Sequence, residues 1–263
     1  MGAWPLAWSA GVIFVAYALR GATGFGAGVV SIPLLLLALP LEVVIPLVTA
    51  MGMIASAGQA VHQRRWVDWS AVGGLLVPSL LGVAAGLALF AVLDPQLLLK
   101  ALAAFIIGYA LWGYLPRKRG QDPFARDASA RKASLPFARK GPDPFSTWLG
   151  RLAGALGGFV ATVFGGMAGP LYVVYLRTRA LDKTSFRATM SFALLCLAAV
   201  RAVGYGSLGF YDARVLWLLA GALPVVFLAM VAGDHWHARL DEARFGHIVA
   251  GLLALSGVAL LFK

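Results

Sequence analysis

Two glycine-rich stretches interrupt the apolar segments of this chain at matching positions, roughly 139 residues apart. The first is residues 23–28 (TGFGAG), followed by Pro33, and the second is residues 162–166 (TVFGG), followed by Pro170. Glycine and proline weaken a helix by roughly 1 and 3 kcal/mol, and a helix broken at membrane depth needs protein, water or a ligand to pair its freed backbone groups. The repeated breaks predict two homologous halves, with a binding site where the breaks meet.

The composition predicts that the chain lies in a bilayer. Hydrophobic residues make up 60% of the 263 residues and charged residues only 13%, compared with about 25% charged residues in soluble domains. All eleven acidic residues lie at segment ends or in connections, so no predicted span contains a carboxylate in its interior. We expect an all-α integral membrane protein, multi-pass, in the bacterial cytoplasmic membrane.

The net charge of +11 is best explained by membrane orientation. Eight of the 22 lysines and arginines lie in one connection, residues 116–146, which we predict to be a flexible linker on the cytoplasmic side, where positive loops accumulate. This linker separates a first transmembrane repeat, residues 1–115, from a second, residues 147–263. It lacks the fold and the aromatic platform of a nucleic-acid-binding module. The single cysteine, Cys196, excludes an internal disulfide and a CxxC metal site, and we expect no metal or cofactor.

Six apolar segments have the length of one plain span each. They are residues 43–61, 70–93, 97–115, 188–207, 213–233 and 245–262. Acidic residues stand at the starts of several of them and are predicted to cap the helices; they are Asp68, Asp94, Asp212 and the pair Asp241 and Glu242.

The broken segments, residues 6–39 and 147–180, are too long for one straight span and too short for two. The first divides into apolar pieces of about 14 and 12 residues, which predicts a pair of half-helices that enter the membrane and return. Each half then has an odd number of crossings, so the second half is expected to be inverted. This topology places fifteen cations in the cytoplasm and three outside, whereas an eight-span topology of parallel repeats gives twelve and six. The charge distribution favours the hairpins.

The chain resembles the TauE/SafE family of sulfite and sulfoacetate exporters over nearly its whole length. The resemblance rests on the first break with Pro33, on the helix from Thr49 to His62 that leads into residues 64–69 (RRWVDW), and on a weaker second copy from Gly157 to Pro170. It implies a secondary transporter that moves a small sulfur-containing or other organic anion, usually outward. The second break departs from the family pattern, because its proline follows two residues sooner.

Helix N-terminal amides can bind an anion at the bilayer midplane without a mobile charge, and the two breaks would expose such amides. The candidate substrate-binding residues next to the breaks are three hydroxyl donors and four glycines that permit close approach: Thr23, Ser31, Thr162, Gly26, Gly28, Gly165 and Gly166. In the helices that follow, Thr49, Ser56 and Gln59 share one face, and Thr189 and Ser191 could face the same cavity. Close helix packing by the glycines and hydrogen bonding between helices by the polar residues are the alternatives.

Three arginines are further candidates for substrate binding, because a charge within a span is often functional. Arg20 directly precedes the first break, Arg187 begins the predicted helix that contains Thr189, and Arg201 lies within an apolar run. For Arg187 and Arg201, extension of the side chain to the membrane surface is the alternative.

Two other classes of function fit the sequence less well than transport does. An intramembrane enzyme would need a nucleophile with a base, or paired carboxylates, which the predicted spans lack. A structural assembly subunit would leave the paired breaks without a ligand. The expected partners are a small anionic substrate and the lipid bilayer, with no nucleic acid. A coupling proton, a homodimer, the direction of transport and the identity of the anion are left open.

Overall fold

The structure, a computed structural model, describes residues 3–23, 26–114, 144–179 and 181–236, and every regular element in these ranges is helical. We number the α-helices in chain order: α1 (Ala3–Thr23), α2 (Ala27–Leu36), α3 (Leu41–Gln63), α4 (Trp69–Val92), α5 (Pro95–Tyr114), α6 (Pro144–Phe164), α7 (Gly169–Thr178), α8 (Lys183–Ser207) and α9 (Ala213–Trp236). A short 3-10 helix, Arg64–Trp66, joins α3 to α4. Five helices, α3, α4, α6, α8 and α9, are long and apolar enough to cross a membrane. The prediction of an all-α membrane protein is confirmed.

The predicted linker, up to residue 143, and the predicted last span, 245–262, lie outside the described residues. The same is true of the acids Asp241 and Glu242.

Acidic residues begin the helices where the sequence predicted caps. Asp68 accepts hydrogen bonds from the backbone N–H groups of Ser70 and Ala71 at 3.0 and 3.1 Å. Asp94 accepts from the N–H of Gln96 at 2.7 Å, and Asp212 accepts from the N–H of Val215 at 2.8 Å. These bonds satisfy amides at the helix ends that have no partner within the helix.

The start of α8 differs from the prediction. The helix begins at Lys183 and not near Arg187, because Asp182 caps it by accepting from the N–H groups of Thr184 and Ser185. Burial by itself would raise the pKa of Asp182, but the hydrogen bonds from Ser185 and Thr184 outweigh burial and hold this pKa below its ordinary value. The first turn of α8 is polar, so an apolar pattern could not reveal it.

Each glycine-rich break turns the chain back on itself. The indole N–H of Trp8 donates to the carbonyl of Leu34 at 3.0 Å, so α2 returns along α1. In the second half, Gly157 of α6 packs directly against the ring of Tyr172 in α7. This contact shows that α7 returns along α6. Both broken segments are therefore helical hairpins.

The predicted lengths of the hairpin arms are wrong. The first arms, α1 and α6, have 21 residues each, and the second arms, α2 and α7, have 10 each. The helix of α1 continues beyond its apolar part through Arg20, because this arginine finds a hydrogen-bond partner on α3. The prediction ends the first piece at residue 19, where the apolar run stops.

The two halves pack through glycines that leave no room for a side chain. Along α4 and α6, Gly154 lies against the carbonyl of Leu75 and Gly158 against that of Ser79. On the other side of the bundle, Gly233 of α9 lies against the carbonyl of Ala18 in α1. Glycines of this kind allow helix backbones to approach closely in a membrane. The first hairpin thus packs through α1 against α9 of the second half, and the second hairpin packs through α6 against α4 of the first half.

Candidate functional site

The two breaks touch each other directly. A Cβ atom on Gly28 would lie 3.2 Å from the carbonyl oxygens of both Gly165 and Gly166. Gly26, Gly165 and Gly166 have φ angles of 93°, 77° and 108°, which side chains of L-residues rarely permit. Glycine is therefore required on both sides of this contact.

A cavity of about 40 Å³ lies beside the contact between the breaks. Since one water molecule needs roughly 10–15 Å³ of cavity volume, the cavity has room for about three water-sized groups. Its lining combines both breaks with α1, α3 and α8: Tyr17, Arg20, Gly26, Gly28, Val29, Val48, Thr49, Gly52, Ser56, Gly165, Gly166, Gly169, Leu194, Leu197, Ala198 and Arg201.

Arg20 reaches the cavity from the last turn of α1. Its side chain is buried, and Nη2 donates a hydrogen bond to the Ser56 hydroxyl of α3. Its Nη1 lies near Gly52, where a Cβ would be 3.8 Å away. Its Nε has no hydrogen-bond partner among the described residues. The guanidinium is therefore held at the cavity with part of its donor capacity unused.

Arg201 reaches the same cavity from α8. It is only 2% exposed, and Nη2 donates to Thr49 Oγ1 at 2.6 Å. Its guanidinium lies 5.7 Å from the centre of the Tyr205 ring, and its Nη1 faces Gly166. The alternative in which Arg201 extends to the membrane surface is wrong, because these partners hold the side chain inside the bundle.

The cavity has two positive charges and, in the part of the chain that the structure describes, no acidic residue in its lining. Arginine stays protonated in proteins, and a buried charge without a partner costs several kcal/mol. The first amides of α2 also lack acceptors within their helix and add positive potential at the cavity wall. The site is thus suited electrostatically to an anion.

Thr49 and Ser56 line the cavity, but both hydroxyls accept hydrogen bonds from arginines. Thr49 uses its own proton to donate to the carbonyl of Ile45 at 2.8 Å. These two side chains therefore position Arg201 and Arg20, a role different from the direct donors that the sequence predicted.

Several predicted site residues do not line the cavity. Ser31 donates to the carbonyl of Ala27 at 2.8 Å and Thr162 to that of Gly158 at 2.7 Å, so both hydroxyls are used within their own helices. The side chain of Thr23 lies outside the described residues.

The remaining candidates lie nearer the first turns of α8. Thr189 accepts from the backbone N–H of Asp68 at 2.9 Å. Arg187 donates to the carbonyl of Gly21 at 2.8 Å, and Gln59 accepts from the Ser191 hydroxyl at 3.3 Å. These contacts join helices outside the cavity.

Sequence reasoning missed eight residues of the lining. Five of the eight are aliphatic, and the other three are Tyr17, Gly52 and Gly169. Two of these three carried a usable signal. Tyr17 lies three residues before Arg20 on the same helical face, and Gly52 lies between Thr49 and Ser56 at spacings of three and four.

The chain is similar to known membrane transporters. The chain matches the family model described as "Sulfite exporter TauE/SafE" over residues 9–260. It is 26% identical over 201 residues to the "Probable inner membrane transporter protein TsaS" of Comamonas testosteroni, covering 74% of this chain and 73% of that protein. No solved structure matches the chain. Because the family match extends over nearly the whole sequence, the protein belongs to the TauE/SafE sulfite exporter family and is a multi-pass membrane transporter.

Proposed function

We propose that the protein moves a small anion, such as sulfite or an organosulfonate, outward across the bacterial inner membrane. The observation that carries this proposal is the convergence of Arg20 and Arg201 on one cavity without an acidic neighbour. The two guanidiniums come from opposite halves of the chain, so an anion bound between them would contact both halves. A site at the interface between repeats is where secondary transporters bind their substrates.

The proposed mechanism is alternating access between inverted repeats. α3 and α8, which follow the two hairpins, run antiparallel, since Thr49 meets Arg201 and Gln59 meets Ser191. An inverted repeat gives equivalent helices opposite directions in the membrane, and this antiparallel pair supports it. Movement of one hairpin relative to the other would change which side of the membrane the cavity opens to.

Coupling to protons would use a group other than a carboxylate in the cavity, because its described lining has none. The protonation of the anion itself is the simplest remaining route. A pH gradient should then change the rate of flux without any acidic residue being required.

Flux in proteoliposomes tests the proposal. The purified protein is reconstituted, and the efflux of sulfite, sulfoacetate and thiosulfate is measured with and without a pH gradient. We expect saturable flux of at least one of these anions, and its loss in the double variant Arg20→Gln with Arg201→Gln. Arg214→Gln, at an exposed arginine outside the cavity lining, is the matched control and should transport normally.

Two results would contradict the proposal. The first is the absence of flux for every anion tested in correctly inserted protein. The second is full flux in the double arginine variant, which would separate transport from this cavity.

A further inference from the structure

One face of α3 carries small or polar residues from the cavity to the end of the helix. They are Thr49, Gly52, Ser56, Gln59 and Gln63, at alternating spacings of three and four residues, which places them on one side of the helix. The first three line the cavity. The last two continue beyond it, so the polar row is longer than the cavity requires.

The facing helix, α8, has polar residues opposite Thr49, Gln59 and Gln63, whereas Ala198 and Leu194 lie opposite Gly52 and Ser56 at the cavity. Arg201 bonds to Thr49 at 2.6 Å and Ser191 bonds to Gln59 at 3.3 Å, and these two contacts set an antiparallel register. The same register places Gln63 opposite Arg187. The interface between α3 and α8 is therefore polar from Gln59 to its end.

Two polar atoms in this row are buried without a protein partner. Gln59 is 8% exposed, and its Nε2 has no hydrogen-bond partner among the described residues; the same is true of the buried Oε1 of Gln63. Buried polar atoms are nearly always paired, either with protein or with ordered water. These two amide atoms are therefore available to pair with water between α3 and α8, beyond the cavity.

The opposite direction from the cavity is apolar. The turn of α3 before Thr49 contributes Ile45 and Val48, which are buried. On α8, the ring of Tyr205 packs edge-on against the ring of Phe90, with 5.4 Å between the ring centres. The hydroxyl of Tyr205 donates a hydrogen bond to the carbonyl of Thr162. No row of polar side chains continues on this side among the described residues of α3.

We propose that the polar row from Ser56 through Gln59 to Gln63 connects the cavity with the cytoplasm, with the hydrogen bond between Ser191 and Gln59 lying across it. The cytoplasmic assignment follows from Arg64 and Arg65, which come directly after the row, because positive residues mark the cytoplasmic side. The inference rests on the proposed function, since a water-filled row is a substrate route only in a transporter.

Neighbouring pairs of residues on α3 allow a matched test. Gln59 and Ala60 are adjacent and both buried, as are Ser56 and Ala55, but only one member of each pair belongs to the row. Single cysteines are introduced at these four positions in a Cys196→Ala parent. Inside-out and right-side-out vesicles are then treated with a membrane-impermeant methanethiosulfonate reagent.

We expect Gln59→Cys to react at least tenfold faster than Ala60→Cys in inside-out vesicles, and Ser56→Cys faster than Ala55→Cys. Neither row position should react in right-side-out vesicles. Saturating sulfite, if the parent transports it, should slow the reaction at Ser56→Cys. Where Gln59→Cys fails to insert, Ser191→Cys on the facing helix takes its place.

Equal reactivity within the pairs, or reaction only from the outside, would overturn the inference. Flux of the parent protein in the same vesicles separates the two proposals. Normal flux with equal reactivity rejects the route and leaves transport intact, whereas absent flux of every anion rejects the proposed function and with it the substrate route.

Discussion

Arg179, which follows α7, forms an ion pair with Asp68, the residue that caps α4, with 3.5 Å between Nη2 and Oδ2. The same Nη2 donates to the Ser70 hydroxyl at 2.9 Å. The end of the second hairpin therefore lies at the same end of the bundle as the connection that contains Arg64 and Arg65. A topology in which each broken segment crosses the membrane once would put Arg179 on the side opposite to Arg64 and Arg65. The ion pair therefore supports the hairpin topology. It also favours the inverted repeats, which remain a prediction.

Cysteine labelling tests this topology. In a Cys196→Ala parent, Arg179→Cys should be unreactive toward an impermeant thiol reagent added to intact cells, because it lies with the cytoplasmic connection. Ser207→Cys, exposed at the other end of α8, should react. External labelling of position 179 at the rate of position 207 would reject the hairpins.

Bulk at the contact between the breaks should block transport. Gly28→Val places its side chain against the carbonyls of Gly165 and Gly166, and Gly26→Val forces a valine to a φ of 93°, a strain of about 1–3 kcal/mol. Both variants should lower anion flux at least tenfold at normal membrane abundance. Gly58→Val, where a Cβ meets nothing within 4 Å and φ is ordinary, is the control. Wild-type flux in Gly28→Val would show that these glycines serve helix packing and not substrate binding.

Each cavity arginine should matter through both its charge and its hydrogen bonds. A hydrogen bond to a charged group contributes about 1.5–3 kcal/mol, so Arg201→Gln should lower flux by roughly ten- to a hundredfold. Arg201→Lys keeps the charge but loses the forked geometry, and should have an intermediate effect. Exposed Arg214 provides the control Arg214→Gln. If Arg201→Gln leaves both the maximal rate of transport and the half-saturating anion concentration unchanged, Arg201 does not contribute to the site.

The hydroxyl of Thr49 should act through Arg201. Thr49→Val removes the acceptor of the 2.6 Å bond while keeping the side-chain volume, and the loss of one such bond is worth about 1.5–3 kcal/mol. We expect a weaker affinity for the anion, and little further loss when Thr49→Val is combined with Arg201→Gln. Additive losses in affinity would show that Thr49 contacts the substrate independently.

Deleting part of residues 121–140 should leave insertion and transport largely intact. This stretch, which lies outside the described residues, has too little apolar content to pack as a domain, and the flanking charges should preserve the orientation. Flux and membrane abundance are compared with the full chain. A loss of flux at normal abundance would instead give the linker a gating or partner-binding role.

The sequence by itself determined the features that depend on local chemistry. Composition identified a membrane protein, Asp68, Asp94 and Asp212 marked helix starts, and the two breaks appeared as glycine runs, because each is set by residues within a few positions of one another. Arg20 was recognised as a candidate because a charge beside a break is costly wherever it lies.

Only the tertiary structure decided what the polar side chains do. Arg201 was ambiguous between the cavity and the membrane surface until Thr49, 152 residues away, was seen to accept its hydrogen bond. Ser31 and Thr162 had the right chemistry and the right neighbourhood, yet their hydroxyls bond within their own helices. A buried polar side chain is governed by the partner it finds. For Arg201 this partner lies on a helix of the other half, at a distance along the chain over which no local pattern extends. For Ser31 and Thr162 it is a carbonyl four residues back, and the sequence alone does not decide between that carbonyl and a ligand.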